Sequence, residues 1–110
     1  MRFFFLLMLC LMTFALFSQT VYSVKYASQA DVKVYVVDYE SQADLLVFKV
    51  DYESQVSGNT GLWFFVKYES KADKKVFLVD YESQSDLKVY FVKYRSKAGW
   101  KDKSKQYFMY

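Results

Sequence analysis

Histidine and proline are absent from the 110 residues, glycine occurs three times, and cysteine occurs once, at Cys10. Without histidine there is no imidazole base, and the usual zinc ligand sets are missing. Without proline, no slow X–Pro isomerisation enters folding. Cys10 stands inside an apolar leader, so a chain that has lost the leader has no thiolate nucleophile and no disulfide framework. Stability must then come from a core or from topology. Aromatic residues are the resource for it, since all eleven tyrosines and both tryptophans follow residue 18.

The leader reads MRFFFLLMLCLMTFALFS, one arginine and then an apolar run without charge. It is shorter than the ~20 residues of a spanning helix and lacks a charged stop-transfer flank, which identifies a secretory signal peptide. Leu16 and Ser18 suit a cleavage site that leaves Gln19 as the mature N-terminus, with an uncleaved anchor as the alternative. Leu9 stands where a lipoprotein signal needs a small residue, which argues against lipidation of Cys10. The expected organisation is a signal peptide, 1–18, and a single domain, 19–110, without a transmembrane segment, secreted or in the periplasm or cell envelope.

That domain is a repeat. One tyrosine per unit marks the register: Tyr26, Tyr39, Tyr52, Tyr68, Tyr81 and Tyr94, spaced by 13 residues except for a step of 16 in the middle, with Tyr107 in phase after them. Two positions earlier stands valine (Val24, Val37, Val50, Val66, Val79, Val92), and four earlier an aromatic (Tyr22, Tyr35, Phe48, Phe64, Phe77, Tyr90). Residues two apart on a strand share a face, so these columns predict a core face of aromatic, valine and tyrosine. The charged column before each tyrosine predicts the wetter side. Five positions before it come Val21, Val34, Val47, Trp63, Val76 and Val89, so the first part of each strand is expected to be covered on both faces.

Serine follows each tyrosine by two, and Asp31, Asp44, Asp73 and Asp86 complete Ser-x-x-Asp in four units. That pattern resembles a capping box and predicts one turn of helix at each corner. A sixfold serine without histidine is not a row of nucleophiles. About eight strand residues and five corner residues would form each unit, too few for the helical crossover of a βαβ unit. Periods this short belong to stacked architectures in which neighbours complete each other's core, so the expected body is mainly β. Val56-Ser57-Gly58-Asn59-Thr60-Gly61 replaces the regular corner and divides the repeats into 21–52 and 63–94, two halves of three strands related by a pseudo-twofold.

Charge divides along the chain as well. Residues 31–53 hold six acids against Lys33 and Lys49, while 93–105 hold Lys93, Arg95, Lys97, Lys101, Lys103 and Lys105 against Asp102. The basic end either meets an anionic partner or docks on the acidic first half of its own chain.

The units of the form x-V-Y-F-V-x-Y-x-S-x-A-D, closing with Lys97-Ala98-Gly99-Trp100-Lys101, resemble the septoil knot family from about Val21 to the C-terminus. The third unit departs from the pattern at Val56-Ser57 and Trp63. The resemblance implies a small β domain whose backbone forms a seven-crossing torus knot, with two intertwined halves and the 58–61 segment as the return. It implies slow unfolding and no established molecular function.

Candidate binding residues are those that break the repeat: Trp63, Trp100, Lys101, Lys103 and Lys105, beside Gly58 to Gly61 and Tyr107. A structural or interaction module is the first expectation, with an envelope protein or anionic polymer as partner. The alternative is a binder of a carbohydrate or anionic envelope ligand, which needs an exposed indole. No cofactor and no nucleic acid are expected. Carboxylate pairs such as Asp38 and Glu40 recur at Asp51 and Glu53 and at Asp80 and Glu82, which speaks for a solvated face and against an enzyme site.

Overall fold

The computed structural model describes residues 19–56 and 58–110; the signal-peptide reading, with Cys10, and Ser57 of the interrupted corner lie outside them. The first half supplies β1 (Thr20–Ser23), β2 (Val32–Val36) and β3 (Leu45–Lys49). The second supplies β4 (Leu62–Phe65), β5 (Lys74–Leu78) and β6 (Leu87–Phe91), followed by a short β7 (Gly99–Trp100). The strands lie in the order β4-β1-β5-β2-β6-β3-β7, and β3 also pairs with β4, which closes the first six into a ring. Every pairing within the ring is parallel. Strands of the two halves alternate around it, so the halves are intertwined.

Stagger explains how short corners can join parallel strands. Each strand meets one neighbour with its beginning and the other with its end: β2 pairs β5 from Val32 to Val34 and β6 from Val34 to Val36. On β5 the register passes from Lys74 at the β1 side to Val76 at the β2 side, and on β6 from Leu87 to Val89. Two residues advance ~6.6 Å along a strand against ~4.8 Å sideways, a tilt of roughly 55°. A strand tilted that far travels more around the barrel than along it, and the chain leaves it close to the next strand but one. Residues 24–31, 37–44, 66–73 and 79–86 therefore suffice as connections.

The lumen is lined by the column five positions before each tyrosine and not by the expected core face, while the charged column is exposed as expected. The closed interior is filled by Val21, Val34, Val47, Trp63, Val76 and Val89, each fully buried, with Val32, Leu45 and Leu87 in the layer two residues earlier. A closed ring of this size is filled by side chains, here mostly branched aliphatic ones. The predicted core column of tyrosines points outward, 65 to 67% exposed. Between these extremes the outer aromatics and valines form a second layer, in which Val37, Leu46 and Val92 are buried beside Tyr35, Phe48 and Tyr90. Strands are also shorter than expected, at four or five residues. Beyond them a single backbone bond continues the ladder, from each repeat valine N–H to an inner-column carbonyl, as from Val24 to Val76 at 2.8 Å and from Val92 to Val47 at 2.8 Å.

Each corner is one turn of 3-10 helix, but the serines do not cap it. Tyrosine holds the N-cap position, and the serines stand exposed in mid-turn. The aspartates instead clasp the other half of the chain. Asp44 N–H donates to the Lys88 carbonyl at 2.8 Å, and Lys88 N–H donates to the Asp44 carboxylate at 2.9 Å. Asp31 with Lys75 and Asp86 with Lys33 repeat this two-point contact. Asp44 alone among them is buried, and it also pairs with Lys105 at 3.1 Å. Asp44→Ala should therefore cost about 2 kcal/mol, because it strands a backbone donor and a partly buried lysine, whereas Asp31→Ala should cost under about 1 kcal/mol. Urea denaturation of the two variants checks the difference.

The end of the chain closes the structure. β7 runs antiparallel to the start of β3, and a 3-10 segment, Lys103–Met109, places Met109 in the inner core. The buried Gln19 donates through Nε2 to the Met109 carbonyl at 2.7 Å. No helix among the described residues is long and apolar enough to cross a membrane.

Candidate functional site

Of the residues that break the repeat, Trp100 and Asn59 meet, at the seam between the 58–61 segment and the tail. Trp100 is half-buried against the inner core, and its Nε1 donates to both the Asn59 carbonyl and Asn59 Oδ1 at 3.1 Å. Asn59 Nδ2 donates in turn to the Gln106 carbonyl at 3.0 Å. Trp63 is not part of any surface. It lies at 0% exposure with its ring edge toward Phe65, 6.1 Å between centroids, so it offers no face to a ligand. Its place in the interior valine column, rather than in a loop, is the reason.

The basic tail is largely turned on its own chain. Lys101 Nζ donates to the Glu40 carbonyl at 3.2 Å, and Lys105 pairs with Asp44, both in the acidic first half. Lys103 remains exposed. Ser104 donates its hydroxyl and its N–H to Asp102, which holds that exposed carboxyl below the ordinary aspartate range. Among the described residues no three Asp, Glu, His or Cys side chains gather as metal ligands.

What the repeat columns concealed is a second, regular surface. The six tyrosines share one backbone conformation, φ −120 to −133 and ψ 132 to 142, which aims each ring off the barrel. Beside them the outer aromatic and valine of a unit form the floor of a cleft walled by two corners. Four such clefts have floors of Tyr35 and Val37, Phe77 and Val79, Phe64 and Val66, and Tyr90 and Val92, with volumes of about 350, 450, 410 and 120 Å³. The facing wall is each time the residue after a corner tyrosine: Glu82, Ala27, Glu53 or Glu40. The signal for this surface was present in the sequence. Each tyrosine stands between a charged residue and a short run rich in serine, glutamine and charge, surroundings typical of an exposed ring and not of a core one.

Lysine distinguishes two of these clefts. Only the corners 67–71 and 93–97, Lys-Tyr-Glu-Ser-Lys and Lys-Tyr-Arg-Ser-Lys, carry lysine on both sides of the tyrosine, and they follow β4 and β6, the ring neighbours of β3. Lys49 of β3 sits over the rings of Phe65 and Phe91 between them, 5.2 and 4.3 Å from the centroids.

No curated protein and no solved structure matches the chain. The 7(1) septoil knot domain matches residues 18–101, a span that begins two residues before β1 and ends just past β7. With six strands of two interleaved halves in that span, the chain belongs to the septoil knot family.

Proposed function

We propose that this domain is a non-enzymatic structural and interaction module, carried outside the cytoplasm by its leader, whose corner tyrosines form the contact surface. The observation that carries this reading is the sixfold column of tyrosines at 65 to 67% exposure. Tyrosine gives a large, rigid contact area at low entropic cost, and surfaces that recognise partners are enriched in it. Burial does not account for these rings, since two thirds of each lies in solvent. The intertwined barrel beneath supplies a stiff support, so little ordering is required on contact.

The test is recovery of a partner from envelope extract by the full chain, tagged at the exposed Tyr110. Beside it stand a variant with the six corner tyrosines changed to serine and one with Lys101, Lys103 and Lys105 changed to alanine. Specific recovery that falls by about tenfold or more in the tyrosine variant, at unchanged thermal stability, supports the reading. Recovery that survives the tyrosine changes but fails with the tail changes moves the site to the basic tail and overturns it.

A further inference from the structure

The two lysine-flanked clefts match position by position. Phe64, Val66, Lys67, Tyr68, Lys71 and facing Glu53 in one correspond to Tyr90, Val92, Lys93, Tyr94, Lys97 and facing Glu40 in the other. Neither pair of lysines is spent internally. Ion pairs among the described residues engage Lys75, Lys88 and Lys105, and none engages the four cleft lysines. Each cleft thus offers an aromatic floor, an exposed tyrosine at its rim, two uncommitted cations and one carboxylate.

We propose that these clefts are two subsites for one acidic glycan chain, a polymer that carries uronate groups. A sugar ring presents an apolar C–H face to Phe64 or Tyr90, its carboxylate meets the lysine pair, and its neutral hydroxyls donate to Glu53 or Glu40. The carboxylate decides between polyanions. A single-stranded nucleic acid also stacks on aromatics in basic grooves, but in DNA the donors lie on the base edges alone and every linkage is anionic, whereas a uronate ring carries hydroxyl donors for Glu53 or Glu40 beside its carboxylate. An inorganic polyphosphate has no face for the aromatic floor. Placement on both sides of β3 suits an extended chain that engages the two subsites in succession, and linked sites gain avidity over either alone.

This inference rests on the corners being the contact surface. Its test is titration calorimetry of the full chain with a uronic-acid hexasaccharide, a neutral hexasaccharide of equal length, and single-stranded oligothymidylate. The expected result is binding of the uronate alone, weakened at least ~10-fold by K67Q/K71Q/K93Q/K97Q and less than ~3-fold by the control K25Q/K33Q/K74Q/K103Q, which removes equal charge away from both clefts. Equal losses in both variants would reduce the effect to net charge and overturn the proposal. Absent uronate binding, or equal or tighter binding of the neutral sugar or the oligothymidylate, would overturn it too. If the uronate fails while the six-tyrosine variant still loses its extract partner, only the glycan assignment falls; if that variant keeps its partner, the broader reading falls with it.

Discussion

Trp63→Val lowers the free energy of unfolding by about 3 kcal/mol, although it restores the residue that the other five units carry at this position. The indole is fully enclosed by the inner core, and a valine there leaves a cavity that the interlocked wall is poorly able to close. Two effects oppose each other, because the buried Trp63 Nε1 has no hydrogen-bond partner among the described residues. Loss of that donor returns part of the cavity cost. Trp63→Phe separates them: it removes the unpaired donor with much less volume and should fall within about 1 kcal/mol of the parent. Denaturant midpoints of the three proteins, at constant slope, measure the comparison. A Trp63→Val variant as stable as the parent would show that the ring is not a packing element of the core.

Gly61→Ala is expected to cost about 3 kcal/mol, from backbone strain and contact together. Gly61 has φ +83, and an added Cβ would press on the Leu46 carbonyl oxygen and come within 3.0 Å of Gly99 N. Those atoms are backbone of β3 and β7 and have nowhere to retreat. Gly58 is the internal control. It also has positive φ, +56, but nothing among the described residues beyond its chain neighbours lies within 4 Å of its Cβ position, so Gly58→Ala should show only the conformational penalty of about 1 kcal/mol. Similar losses at both sites would mean that the close approach of β4 to β3 and β7 is not as tight as the geometry requires.

The sequence made some of this legible and hid the rest, for reasons that differ by column. The period, the corner turns and the division at 56–61 follow from identities along the chain, and they are local. Which face is inside does not follow, because Val24 and Val21 are alike in kind and both are buried, one beneath a corner and the other in the lumen. Only ring closure separates them. Ser-x-x-Asp is a local pattern and reads as a cap, yet the partners of Asp86, Asp31 and Asp44, which are Lys33, Lys75 and Lys88, lie more than 40 residues away. Charge alone leaves Lys101 and Lys105 two fates, and the contacts with Glu40 and Asp44 give them the internal one. The two lysine-flanked corners were visible as sequence, but their position on either side of β3 depends on interleaving that no spacing rule encodes.

The alternation of the two halves around the barrel sets the order in which the domain is able to form. β1 and β2 find both their ring neighbours in the second half, and β3 meets its only first-formed partner, β4, across the 56–61 return. A nascent chain that ends before β4 therefore has no native strand pair available, and its exposed apolar segments have only each other. Ladder formation waits until the second half has been made, which places this fold at the nonlocal, slow end of folding rates. The same delay keeps the leading part of the chain in an unfolded, threadable form while it is being synthesised.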